Sequence, residues 1–368
     1  MTQSALLDLF RQRQARVAGP DEAPFLLTTG SVPAEYTAAR EQCVLFDTTD
    51  WEQVRVSGTE AAVFLHRLLA NEVKNQPDST RRENMLLSAK GKVRFSFTVE
   101  RRGAEYFICT SHGQAKPLAD ALEMYHFSEQ VQFAVTLEWA RVEVCGPQAA
   151  HVLQAVQPAV LPALPPTGLS NVVDTTIAGL PCRLAAALVA GSLGWTVDVP
   201  RAAAGQLVAA LEAAGAHLAG RVVKDSLRVE ACHPEPLLDI DEGVYPQEAR
   251  LERAFALDKG CYIGQEVVAK IDTYGGLNKR LVALRVSHED PVPRGCKLIK
   301  VEEGERRELG LVTSWAWSFV LDAGLVLAYV KRRHQAVGTV FELEGGGTAT
   351  IVPTPVRPDA VLPTGDFE

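Results

Sequence analysis

The sequence predicts an α+β protein made of two related mixed units and closed by a small all-β barrel. Three observations carry this expectation. The chain has 368 residues, long for a single core of ordinary size. Two segments share one strand–turn–helix pattern, VRVSGTEAAVFL at 54–65 and VEVCGPQAAHVL at 142–153. Beyond residue 287, valine-rich runs alternate with turn residues, as in a small barrel. In each repeated segment alternating valines mark a strand, a glycine makes the turn, and Thr59 or Pro147 suits the opening of a helix. An ancient duplication accounts for the likeness; the alternative is chance similarity between two common units.

Taken in order, Leu6, Leu7, Leu9 and Phe10, followed by Arg11, Arg13 and Arg16, read as an amphipathic helix rather than a secretory h-region. Phe64, Leu65, Leu68 and Leu69 form the stripe of a helix ending near Asn71, and 86–100 reads as strands. The stretch 157–168 is a loop, because its prolines lack donors. Strands at 182–189 and 195–199 precede an alanine-rich helix at 201–214, stopped by Gly215. Barrel strands are expected at 309–313, 325–329 and 338–343, and the proline-rich stretch 353–368 is expected to fray. The resulting division is 1–140 for a first α+β domain with parts of the second interleaved, 141–280 for a second, ferredoxin-like unit, 281–355 for the barrel and 356–368 for a tail.

Thirty-seven basic residues against 45 acidic give a net charge of −8, which disfavours charge-driven binding to nucleic acid or an anionic membrane. Neither is an expected partner. Seven scattered cysteines without a CxxC pair suggest a reducing, cytoplasmic setting and give no support to a resident metal or cluster. No apolar run approaches the roughly 20 residues of a spanning helix.

The densest chemistry lies in LDKGCYIGQEVV at 257–268, followed by Gly275, Gly276, Asn278, Lys279 and Arg280. Lys259 offers a cation to a thiolate at Cys261, and Gly260 and Gly264 let backbone approach a ligand or a neighbouring domain. Gln265 and Glu266 open a helix at 265–271, where capping is their structural alternative. Cys261 by itself is either a reactive thiol or a small buried hydrophobe. His66, His112 and His126 read as surface or packed side chains, because no second ligand has metal-type spacing.

The string KGCYIGQE closely resembles the signature of YgfZ-type folate-binding proteins, and the resemblance implies that Lys259, Gly260, Cys261, Tyr262, Gly264, Gln265 and Glu266 occupy signature positions, with Cys261 the functional thiol. More widely, 45–343 resembles the glycine-cleavage T-protein (aminomethyltransferase, GcvT) superfamily through CVLFD at 43–47, VRVSG at 54–58, KDSLRVE at 224–230, GLVTS at 310–314 and AYV at 328–330. This implies three domains in a ring around a central cavity that holds tetrahydrofolate or another reduced folate. The aminopyrimidine edge of a pterin donates two hydrogen bonds that a carboxylate accepts side by side, with Glu230 favoured over Asp239, Asp241 and Glu248. The glutamate tail asks for an arginine fork, for which Arg228 matches the family motif; its alternative is a salt bridge between domains. Tyr262 and Tyr245 are candidates to line the ring.

Two departures from the T-protein pattern stand out. Phe95 and Ser96 occupy the positions of its acidic residue, and Thr196 replaces its ring-binding glutamate, with Asp198 able to compensate only by a slip of register. The resemblance therefore implies a folate-binding accessory protein for iron–sulfur cluster assembly or repair, linked by family to tRNA modification. Its partners are iron–sulfur client or assembly proteins, Cys261 and Lys259 are the working pair, and Arg228, Glu230, Tyr262, Gly260, Gln265 and Glu266 contact the cofactor. One alternative is a folate-dependent aminomethyltransferase or demethylase using another acid, marked by a carboxylate reaching the pterin from the first domain. A second is a docking scaffold without folate, marked by a closed central cavity.

Overall fold

The computed structural model of the chain describes residues 3–157, 159–165 and 167–361. Eleven strands of the mixed units join in one sheet, and six later strands close a barrel. From one edge the sheet runs His217–Ala219, Val44–Thr48, Trp139–Cys145, Ser192–Pro200, Leu180–Val189, Ser170–Ile177, Thr80–Leu87, Val93–Arg102, Glu105–Thr110, Glu52–Ser57 and Gln132–Thr136. Its halves meet through one short pairing, Ser170 with Arg81 and Asn171 with Thr80. Strand Val44–Thr48 comes early in the chain yet pairs with Trp139–Cys145, so the two units are interleaved. Residue 140 lies within that second strand and residue 280 within barrel strand Lys279–Val286, so the units meet inside strands rather than in linkers.

Period-two patterning explains the sheet. In Trp139–Cys145, Ala140, Val142 and Val144 enter an apolar core with Leu45, Leu184 and Val197, while Arg141 and Glu143 point the other way. Helices Ala149–Val156 and Ala204–Ala213 cover the apolar face, and helix Leu7–Gln12 adds Leu7 and Phe10 to it. Each fully buried side chain of this size contributes about 1.5–3 kcal/mol.

Both repeated segments form the strand–turn–helix expected of them: Glu52–Ser57 with Ala61–Leu68, and Trp139–Cys145 with Ala149–Val156. Their turn glycines have φ of +116° and +111°. A Cβ at Gly58 would lie 2.0 Å from the Gln130 carbonyl oxygen, and one at Gly146 would lie 2.4 Å from that of Gln42. The same close approach of a turn glycine to a carbonyl recurs in both units.

Some boundaries differ from expectation. The helix begun at Ala61 stops at Leu68, 86–100 is covered by two strands, Thr80–Leu87 and Val93–Arg102, and the helix expected at 201–214 opens with a 3-10 turn, Arg201–Ala203. The barrel order is Lys279–Val286, Ala323–Lys331, Glu305–Ser318, Lys297–Glu302, Val340–Leu343 and Thr348–Ile351, the last pairing back on the first.

The expectation of a frayed tail fails for residues 353–361. Arg357 is 1% exposed and donates to Ser192 Oγ at 3.1 Å and to the carbonyls of Ala190 at 3.1 Å and Leu227 at 3.2 Å, with Nε 3.5 Å from Glu230. Backbone amides of Val356 and Val361 bond the carbonyls of Glu230 and Gly191, and Asp359 pairs with Arg40. A buried guanidinium surrounded by acceptors pins this strap, which proline content alone does not reveal. The remainder of the expected tail, 362–368, lies outside the described residues. Arg357→Ala strands Glu230 and two carbonyls and should cost about 3–5 kcal/mol; an unchanged urea midpoint would show the strap to be idle.

Candidate functional site

Where the polar side of the sheet meets helix Arg221–Glu230 there is a cavity of about 680 Å³, within the usual range of ligand pockets. Its floor holds Phe46 and Glu143, which are cross-strand neighbours; Thr196 opposes Glu143 on the other side. Residues directly opposite in a sheet share a face, so the alternation that buries Val142 and Val144 also turns Glu143 towards the cavity. One wall is the helix, whose Arg221, Lys224, Asp225 and Arg228 recur at i, i+3, i+4 and i+7. Its Val223 and Leu227 pack into an apolar cluster instead. The turn after Val44–Thr48 supplies Asp50 and Trp51, and Asp47, His112, His233 and Glu235 add to the polar lining. A smaller pocket adjoins through Ser111, Pro236 and Leu237 and is lined by Phe95, Ser96 and Asp241.

Most of the wall's charges are paired. Arg221 bonds Asp225 at 2.8 Å and both oxygens of Glu235 at 2.6 Å. Arg228 uses all three nitrogens, on Asp225 at 2.6 Å, Asp239 at 2.8 Å and the barrel's Ser314 at 2.9 Å. Burial works against a charged Glu235, but Arg221 and Arg228 prevail and hold its carboxyl down at about 2. Burial, then Arg228, brings His233 down to about 4. Asp50 moves the other way: burial first and then Asp47 push its carboxyl up to about 6. Beneath the floor, Asp198 joins Arg141 at 2.7 Å and also Arg81, which bonds Glu100 at 2.6 Å and Thr196 at 2.6 Å. Burial opposes charge on Asp198, yet the two arginines hold its carboxyl below the ordinary range.

The loop that carries Lys259 and Cys261 docks elsewhere. Lys259 Nζ donates to the His66 carbonyl at 2.5 Å, and a ring nitrogen of His66 meets the Lys259 carbonyl at 2.9 Å. Gly264, with φ of +80°, sits so close to the 88–91 turn that a Cβ would lie 2.6 Å from the Ser88 carbonyl oxygen. Cys261 is exposed, whereas the other six cysteines are buried. Burial brings the Lys259 amine down to about 8, against the pull of Glu72 and Cys261.

A family model described as the GCVT N-terminal domain matches residues 4–259, and one described as the glycine cleavage T-protein C-terminal barrel domain matches 279–356. The chain belongs to the glycine cleavage T-protein family. Similar proteins named aminomethyltransferase occur in Listeria monocytogenes serotype 4b, at 25% identity over 88% of this chain and 89% of that protein, and in Synechococcus elongatus, at 29% over 87% of each. Another, from Saccharopolyspora erythraea, is 28% identical over 87% of each. The crystal structure of glycine cleavage system aminomethyltransferase T from Bartonella henselae has the same fold, with a TM-score of 0.83 at 21% identity over 98% of this chain and 99% of that one.

Within this T-protein fold the expected site residues separate. Arg228 lines the cavity, but its guanidinium ties the helix to the barrel, which is the alternative the sequence left open. Glu230 does not line it: Tyr36 donates to it at 2.7 Å and Ser318 at 2.9 Å, and Arg357 neutralises it, so this carboxylate is occupied by structure. Asp239 accepts from Arg228, Thr313 and Ser314, and Glu248 accepts from the Tyr245 amide at 3.0 Å. Lys259, Gly260, Cys261, Tyr262, Gln265 and Glu266 are absent from the lining of the cavity. Tyr262 packs in an apolar cluster, Gln265 reaches the Leu257 carbonyl at 3.5 Å, and Glu266 pairs with Lys270 at 2.7 Å on an exposed helix face. Asp198 is not free for a ligand, because two arginines hold it beneath the floor.

Sequence reasoning missed Asp50, Glu143, Lys224 and Glu235 as cavity groups, and read His112 as a surface or packed side chain. The polar stripe at 221, 224, 225 and 228, and the acid between valines at 143, were the available signals. Among the described residues no cluster of potential metal ligands is present, and no helix is long and apolar enough to cross a membrane.

Asp50 yields a pH test. Its folded-state pKa is raised, so its contribution to stability is fully present below its unfolded value near 4 and is lost as pH rises through about 6. Asp50→Asn removes that loss. The variant's stability relative to wild type should therefore grow by about 1 kcal/mol between pH 5 and pH 7.5 in urea titrations. A difference independent of pH would mean that Asp50 ionises like an ordinary surface carboxyl.

Proposed function

We propose that this chain binds a reduced folate in the cavity and carries out folate-dependent one-carbon transfer of the aminomethyltransferase kind. The observation that carries the reading is Asp50, a carboxyl in the cavity wall that burial and the neighbouring Asp47 raise to about 6. A group poised there can hold a proton for a leaving nitrogen and take it back near neutrality. Asp50 comes from the first part of the chain, where the aminomethyltransferase alternative places its acid. The names of the relatives support the same reading.

The residues suit such a ligand. Trp51 offers flat apolar surface, and His112, with a buried and unpartnered Nδ1, offers a hydrogen-bonding group to a heterocycle. Arg221 and Arg228 hold the helix wall in place through their acids rather than meeting a ligand tail. Bound here, a reduced folate supplies the nitrogens that accept a one-carbon unit. Asp50 manages the proton, and the surrounding wall restricts access of water to it.

A second reading, support of iron–sulfur proteins, linked by family to tRNA modification, is favoured by Cys261. This thiol is exposed, sits within KGCYIGQE beside an amine lowered to about 8, and lies outside the cavity lining, as suits contact with another protein.

Anaerobic calorimetry with tetrahydrofolate should give saturable one-to-one binding. In a reconstituted glycine-cleavage assay, Asp50→Asn should lower turnover by about 100-fold with affinity changed only a few-fold. Full turnover by the variant would remove Asp50 from the chemistry. Folate binding without any transfer by the wild type, together with loss of iron–sulfur enzyme activity in cells carrying only Cys261→Ser, would move the assignment to the second reading.

A further inference from the structure

Five carboxylates line the large cavity: Asp47, Asp50, Glu143, Asp225 and Glu235. Three are saturated by the protein. Asp47 accepts from Thr49 on one oxygen and from Ser4 on the other. Asp225 and Glu235 each hold guanidinium groups through both oxygens. Asp50 has the proton-carrying character described above. Glu143 differs from all four. Lys224 Nζ stands 2.7 Å from Oε2, which is buried without a hydrogen-bond partner, and among the described residues no hydrogen bond reaches Oε1. The side chain is 11% exposed, so water satisfies it only in part.

A carboxylate in that state has its charge balanced but its acceptor capacity unspent. Its position adds a second constraint. Glu143 stands on the floor, with Phe46 opposite it on one neighbouring strand and on the other Thr196, whose hydroxyl already receives Arg81. Phe46 beside Glu143 is 1% exposed, so Glu143 is the group that this part of the floor presents to a ligand.

We propose that Glu143 is the residue that recognises the pterin, accepting the paired N–H donors of the aminopyrimidine edge while Lys224 balances its charge and holds it in place. The assignment rests on the reading that the cavity holds a reduced folate. Two adjacent donors facing one carboxylate match the two-oxygen geometry of the acceptor, and each such bond is charge-assisted. Glu143 thereby discriminates for ligands with a 2-amino group and against those without one.

The test compares tetrahydrofolate with an analogue lacking the 2-amino group, by anaerobic calorimetry on wild type and Glu143→Gln. Wild type should favour tetrahydrofolate by roughly 10- to 100-fold, and the variant should lose that preference through weaker tetrahydrofolate binding while binding the analogue as wild type does. Because the variant strands a buried ammonium, Glu143→Gln combined with Lys224→Met serves as a second variant, and it should show the same loss of preference. Equal weakening of both ligands would make Glu143 a wall residue only and overturn the assignment, as would unchanged binding of both. Failure of the wild type to bind tetrahydrofolate at all would instead remove the folate reading, and the assignment with it.

Discussion

Arg81 and Arg141 bring two guanidinium groups beneath the sheet's polar face, and Asp198 between them makes that arrangement tolerable. Glu100 completes the set, with Arg102 outside it. Taking such charges out of water costs several kcal/mol apiece unless each meets an opposite charge in good geometry. The four come from strands that lie far apart in sequence: Thr80–Leu87 and Val93–Arg102 in the first unit, Trp139–Cys145 and Ser192–Pro200 in the second. Correct pairing therefore requires both halves of the eleven-stranded sheet in register at once. The cavity floor rests on this layer, since Glu143 and Thr196 are the next residues along the same two strands and the same face. A slip of one residue would exchange Arg141 and Glu143 for valines and invert both faces.

Legibility in the sequence followed the physics of each feature. The duplicated strand–turn–helix, the first helix and the barrel strands were readable because they depend on local periodicity and on glycines at fixed turns. Assigning Arg228 and Glu230 was harder. Both are polar residues in the last turn of one helix, and only tertiary structure reveals that Tyr36, Ser318, Asp239 and Ser314 consume them. The cavity's own groups arise from residues brought together across some 190 positions of chain, from Asp47 to Glu235, which no window of local pattern reports. Pro353, Pro355 and Pro358 suggested fraying, but the buried Arg357 among them decides the conformation of its neighbours.

The loop with the most distinctive string and the cavity with the most ligand-like lining are separate places. Gly264 fixes the loop against the 88–91 turn, and that turn leads directly into strand Val93–Arg102, whose Phe95 and Ser96 line the smaller pocket. The two regions are thus linked by one short piece of backbone. Their chemistry differs in kind: an exposed thiol and a half-buried amine on one side, a set of paired carboxylates and aromatic surface on the other.

Residues 353–361 bear on how the protein comes into being. They bond the Ala190 carbonyl, Gly191, Ser192, Leu227 and Glu230, all of which emerge from the ribosome well before them. Chains fold from the N-terminal side during synthesis. For that interval the Glu230 carboxylate, already beside Tyr36, has no guanidinium to neutralise it, and the carbonyls at 190 and 227 face whatever solvent or chaperone is present. Arg357 is therefore a latch that shuts late, and a nascent chain stalled ahead of it would display an acidic, incompletely sealed seam to the cell's quality-control machinery.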